Sequence, residues 1–174
     1  MKFINPQTVV AQMGLKTGQV VADFGSGAGF FATAAAKMVG NTGTVHAIDV
    51  QQSKLTATFS SATQQGYKNV QILQADLDKP LKQLEDASCD AVIMASILHE
   101  VADRSMLLKN AYRLLKTGGL LLAVEWKPEH TIFGPSLDKR IHEQQLEDEL
   151  AKAGLHKVKS IPADSAHYAL LFQK

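Results

Sequence analysis

Short apolar runs alternate along the chain with longer stretches in which apolar residues recur at helical spacing. QVVADF (19–24) is β-branched and apolar up to a run of glycines, and FFATAAAKMVG (30–40) follows as an alanine-rich helix. GTVHAIDV (43–50) and NVQILQAD (69–76) predict the second and third strands, with a helix over SKLTATFSSATQQG (53–66) between them. A weaker helix is expected around PLKQLEDA (80–87), and a fourth strand at CDAVIMAS (89–96). Leu107, Ala111, Leu114 and Leu115 form one apolar stripe, with Lys109, Arg113 and Lys116 off it. Glycines at 118 and 119 are expected to end that helix before the fifth strand, LLLAVEW (120–126). A last helix over 141–154 places Leu146, Leu150 and Ala153 on one face.

The rhythm then changes. LHKVKSIPA (155–163) and HYALLFQK (167–174) are joined by a turn around 164–166, too short for a parallel crossover, so these strands are antiparallel. The whole pattern predicts an α/β fold: a doubly wound, seven-stranded, mainly parallel sheet that ends in an antiparallel hairpin, with helices on both faces. We expect a single domain over 1–174, with a short N-terminal segment at 1–18 and a long loop at 127–140.

Composition narrows the function classes. Eighteen basic against seventeen acidic residues give no basic field for nucleic acid. No apolar run approaches a membrane span and no signal-peptide core opens the chain, so a cytoplasmic setting is expected. The one cysteine, Cys89, excludes an internal disulfide and a cysteine-cluster metal site, and the scattered histidines imply no metal.

The chemistry concentrates at strand ends. VADFGSGAGFF (21–31) carries Gly25, Gly27 and Gly29 after a strand. A dinucleotide fingerprint needs its third glycine at 30, where Phe30 stands, and a phosphate loop needs a lysine that is absent until Lys37. Asp49 ends the second strand, where a carboxylate accepts from ribose hydroxyls, and Asp76 ends the third, within reach of an adenine amino group. A ligand with ribose and adenine but no phosphates fits: S-adenosylmethionine, whose ammonium and carboxylate suit Asp23 and the backbone of the loop.

With these segments in order, the chain resembles the class I S-adenosylmethionine-dependent methyltransferases. VADFGSGAGFF is similar to their first motif, VHAIDV to the ribose-binding strand and ILQADL to the adenine side, while CDAVIMASILHEV and AYRLLKTGGLLLAVEW match the segments that follow. Within them it looks most like the small-molecule branch related to ubiquinone and menaquinone biosynthesis. The resemblance implies cofactor contacts from Asp23, Gly25, Ser26, Gly27, Gly29, Asp49, Val50, Ala75, Asp76, Leu77 and Ser96.

Methyl transfer needs a base only when the acceptor carries a proton that must leave. His99, in SILHEV (96–101), is the candidate; a loop-capping histidine is the other reading. Trp126 is a candidate wall for an aromatic acceptor or a packing residue, and Arg140 binds an acidic group on the substrate or pairs with Glu143 or Glu147. The expected activity is methylation of a small molecule. Methylation of RNA or protein, and a cofactor-binding module without turnover, stand as alternatives. So short an N-terminal segment leaves the site either fairly open or covered by that segment, the 127–140 loop or a second copy in a homodimer.

Overall fold

A computed structural model describes residues 4–174; positions 1–3 of the expected 1–18 segment lie outside the described residues. The elements are α1 (Pro6–Ala11), β1 (Val20–Phe24), α2 (Phe30–Val39), β2 (Thr44–Asp49), α3 (Gln52–Gln64), β3 (Val70–Gln74), β4 (Cys89–Ala95), α4 (Arg104–Leu114), β5 (Leu115–Trp126), α5 (Glu143–Lys152), β6 (His156–Ile161) and β7 (His167–Gln173). One short 3-10 turn, Leu137–Lys139, interrupts the long loop after β5.

The strands form one sheet in the order β3-β2-β1-β4-β5-β7-β6. The first five run parallel, and β7 inserts antiparallel between β5 and β6. Alternate side chains of each strand serve opposite faces, as the pleat demands. Ala22, Phe24, Val92 and Met94 pack with Leu107, Leu114, Leu146 and Leu150 of α4 and α5. Val21, Ala91 and Ile93 pack with Val9 and Val10 of α1 and the alanines of α2. The small residues of FFATAAAKMV, buried from Ala32 to Ala36, let α2 lie close to the sheet. Because strand order reverses between β1 and β4, the connections leaving their carboxyl ends diverge to opposite sides and open a crevice.

Three local expectations are corrected. Residues 80–87 are not helical. The backbone there is held by α4: Leu81 donates its N–H to Asn110 Oδ1 at 3.0 Å, and Arg113 donates to the carbonyls of Leu81 and Leu84. These side-chain bonds replace the intrahelical ones. The helix expected to run on to Gly118 ends at Leu114, and Leu115 already pairs with Cys89. Between that pair and Leu120↔Ala91 the register shifts, so 116–119 form an irregularity inside β5 where a helix cap was expected. The third is α1, which patterning missed: Asn5 caps it, its Oδ1 accepting from Thr8 N at 3.2 Å, and Pro6 opens it.

Candidate functional site

The glycine loop follows β1. Gly25 and Ser26 both donate their N–H to Ile48 O, at 2.8 and 2.9 Å, which clamps the loop to the end of β2. Gly25 has φ +69, and a Cβ there would lie 2.7 Å from the Ile97 side chain. Gly29, at φ +82, turns the chain into α2, and a Cβ there would lie 2.9 Å from the Thr58 side chain of α3. Between them Gly27 donates its N–H to Asp49 Oδ2 at 3.0 Å, and its carbonyl accepts from Thr58 Oγ1 at 2.9 Å. Asp49 Oδ1 accepts from Gln51 N at 2.9 Å. The acid at the end of β2 thus joins two loops separated by more than twenty residues.

These loops wall a cavity of about 840 Å³ at the carboxyl ends of β1 to β4. Of the residues expected there, Asp23, Gly25, Ser26, Gly27 and Asp49 line it from the first two loops. Val50 joins Asp49 in the second of these loops, and Ala75, Asp76, Leu77 and Ser96 line it from the next two connections. Gly29 does not; its part is the turn into α2. The sequence reading missed Ile4, Pro6, Phe30, Lys54, Ile97 and Glu100, which complete much of the wall. Of these, only Phe30 carried a signal, as a large apolar side chain at a helix start beside a glycine loop. Ser96 adopts φ +55, an uncommon conformation for a residue with a side chain, where β4 leaves the sheet at the cavity.

The wall is acidic. Asp23, Asp49, Asp76, Asp78 and Glu100 face it, against the single ammonium of Lys54 among the described residues. Asp23 is buried at the end of β1, and its Oδ2 has no hydrogen-bond partner; neither has Ser26 Oγ. Burial pushes the Asp23 carboxyl up to about 8; the N–H of Ala32 opposes this shift and the charge of Asp49 adds to it. Asp76 stands in water at the rim. The hydrogen bond and charge of Lys79 Nζ, 2.9 Å from Oδ2, and the N–H of Asp78, 3.0 Å from Oδ1, hold it below the usual carboxylate range. Asp23 and Ser26 therefore present polar atoms that a ligand must satisfy, and the field favours a cationic one.

His99 does not itself line the cavity. Its Nδ1 lies 2.8 Å from Oε2 of Glu125, a fully buried carboxylate at the end of β5, and its Nε2 lies 3.9 Å from Oε1 of Glu100. Asp103, two residues beyond the loop, caps α4 by accepting from Met106 N at 3.0 Å. Trp126 and Arg140 also lie outside the cavity wall. The five guanidinium N–H groups of Arg140 reach Pro135 O, Lys127 O, Glu129 O, Thr131 Oγ1 and Phe133 O, between 2.5 and 3.2 Å. The guanidinium sits 5.3 Å from the Trp126 ring centre, and the His167 ring lies 4.0 Å from it. Arg140 thus folds the 127–140 loop around itself, with neither a substrate acid nor Glu143 or Glu147 as its partner. Among the described residues, no helix is long and apolar enough to cross a membrane.

Known proteins align with this architecture. Residues 15–167 match the family described as "Methyltransferase domain". A ubiquinone/menaquinone biosynthesis C-methyltransferase of Marinomonas sp. is 31% identical over 132 residues, covering 75% of this chain and 52% of its own length. The chain spans about half the length of the curated relatives it matches. A crystal structure of an S-adenosylmethionine-dependent methyltransferase from Aquifex aeolicus superposes with a TM-score of 0.89 at 29% identity, over 98% of this chain and 90% of that one. The [4+2]-cyclase SpnF shares the fold, with a TM-score of 0.82 at 19% identity over 97% of this chain and 80% of its own. Methyltransferase and cyclase share one sheet, so the fold alone names no reaction. With the family match across most of its length, the sheet order and the acidic, glycine-walled cavity, this chain belongs to the class I S-adenosylmethionine-dependent methyltransferases.

Proposed function

We propose that the protein transfers a methyl group from S-adenosylmethionine to a small-molecule acceptor. The observation that carries this reading is the pair of unsatisfied buried atoms, Asp23 Oδ2 and Ser26 Oγ, in a cavity whose charged groups are nearly all carboxylates. Among the described residues a polyphosphate meets the carboxylates of Asp49, Asp76, Asp78 and Glu100 there and one ammonium, whereas a sulfonium that also bears an ammonium is drawn in. In this reading Asp23 takes the ammonium and the backbone of Gly25 to Gly29 the methionine carboxylate. Asp49 takes the ribose hydroxyls and Asp76 the adenine amino group. Val50, Ala75 and Leu77 flank the base, and Ser96 shapes the floor. Asp49 is already oriented by Gly27 N and Gln51 N, so little ordering remains when ligand arrives.

When bound, the cofactor supplies a methyl group on an excellent leaving group. The chain's own work is to align the acceptor and exclude water, the proximity contribution to rate. Ile4, Pro6, Phe30, Ile97 and Val101 give the rest of the wall an apolar surface, which suits an uncharged acceptor, while the carboxylates oppose an anionic one. The relatives named for ubiquinone/menaquinone biosynthesis make a quinone precursor one candidate, with a cytoplasmic setting as part of the same proposal. Calorimetric titration with S-adenosylhomocysteine and, separately, with NAD tests the reading. Binding of S-adenosylhomocysteine at micromolar strength and no heat from NAD is the expected result; NAD binding alone overturns it.

A further inference from the structure

Three groups beside the cavity form a line that the cofactor does not use. Glu125 is a fully buried carboxylate whose hydrogen-bond partners are backbone and one imidazole. Its Oε1 accepts from Leu98 N at 2.9 Å and its Oε2 faces His99 Nδ1 at 2.8 Å. A cationic side chain in its field, Arg104, is held in a two-pronged pair with Glu149 at 2.9 Å. Beyond the imidazole, Nε2 points to Glu100, which does line the cavity. The loop carrying Leu98, His99 and Glu100 leaves β4 at the left-handed Ser96, which lines the cavity, and carries His99 to Glu125 at the end of β5.

We propose that Glu100 is the group that meets the acceptor's proton, that His99 relays it, and that Glu125 is the positioning residue that fixes the imidazole. This rests on the methyl-transfer reading above and adds the class of acceptor: a neutral molecule whose reacting atom carries a removable proton. Because a carboxylate can only accept, Nδ1 must donate to Glu125, which leaves Nε2 as the basic nitrogen. The acceptor's X–H bond breaks with its electron pair staying on X, and the proton passes to the Glu100 carboxylate and on to Nε2. No electrons are gained or lost, and the imidazolium that forms lies between two carboxylates. The 3.9 Å gap between Nε2 and Glu100 closes by a rotamer change of the exposed Glu100 side chain.

The test needs no acceptor. In the 15N-labelled full-length protein, with and without S-adenosylhomocysteine, long-range 1H–15N spectra report which ring nitrogen of each histidine carries hydrogen; His99→Gln assigns the His99 signals by their loss. The wild type is expected to show Nδ1–H with Nε2 bare. Glu125→Gln is expected to invert this, because its carboxamide oxygen still accepts from Leu98 N while its NH2 must donate to Nδ1. Glu100→Gln is expected to move the Nε2 resonance and keep the tautomer, and added S-adenosylhomocysteine to shift Nε2 of His99 more than the ring nitrogens of the other histidines. An Nε2–H tautomer in the wild type overturns the proposal even if Glu125→Gln fails to fold, and so does an Nε2 signal indifferent to both Glu100→Gln and ligand. If S-adenosylhomocysteine fails to bind in calorimetry, the methyl-transfer reading is what falls, and the tautomer still reports on Glu125 by itself.

Discussion

Cofactor binding should weaken as the solution is acidified, and Asp23 sets by how much. In the free protein its buried carboxyl titrates at about 8, because burial disfavours the charged form. Holding an ammonium requires the carboxylate, so at lower pH the ligand must first drive off a proton. Each unit below the free-state value then opposes binding by about 1.4 kcal/mol. From about pH 7.5 to about pH 5.5 the ligand's own amine stays protonated, and the Kd for S-adenosylhomocysteine should rise by somewhat under 100-fold, about 2.5 kcal/mol. Calorimetry in buffers of different ionisation enthalpy should show close to one proton released per ligand over that range. Asp23→Asn should bind weakly but with a flat pH profile. A wild-type Kd that changes less than about threefold, or an equal slope in Asp23→Asn, would refute the reasoning.

The same group predicts a stability effect of opposite advantage. Unfolded Asp23 ionises near 3.8 and the folded residue near 8, so the folded state binds the extra proton between those values. Stability is then greatest at low pH and falls by up to about 1.4 kcal/mol per unit as pH climbs through that window. Free Asp23→Asn should therefore melt higher than the wild type at about pH 8 and match it near pH 4, by thermal scans followed by circular dichroism. Asp49→Ala removes the acceptor of Gly27 N and Gln51 N together; we expect S-adenosylhomocysteine to bind about 30- to 100-fold more weakly, and a Kd within threefold of wild type would sink the bracing argument. Arg140→Met leaves five backbone and hydroxyl acceptors of the 127–140 loop without their donor. A loss of about 2 kcal/mol, a fall in Tm of about 4–8 °C and faster amide exchange confined to that loop should follow, with ligand affinity unchanged.

Strands whose two faces are both covered read as near-continuous apolar runs, which is why VVADF, VHAID and AVIMA were visible by eye along with their parallel order. Likewise the acids at strand ends were legible because fold topology alone carries them to one edge. Residues 80–87 were misread because helical propensity is a local quantity, whereas the bonds that decide their conformation come from Asn110 and Arg113 on α4. For Arg140, charge and position suggest a ligand, whereas the partners the structure gives it are four carbonyls and the Thr131 hydroxyl, which sequence does not distinguish. Glu125 and Glu100 stand in the sequence as acids at the end of the fifth strand and after His99, with nothing there to join them. Their line through His99 depends on the backbone turn at Ser96, for which a serine in the sequence gives no sign.

One feature of the sheet bears on how the protein reaches this state. β7 is the last strand in chain order, yet it fills an interior slot between β5 and β6 and is buried from His167 to Phe172. Until it docks, β5 presents a long row of unpaired amides and carbonyls beside Leu120, Leu122 and Val124, and β6 has no neighbour at all. A partly folded chain therefore displays an adhesive strand edge about forty residues ahead of the segment that covers it. Mutations that slow β7 docking should raise aggregation during refolding more than they lower the melting temperature, and a peptide copying 167–173 should intercept the waiting edge.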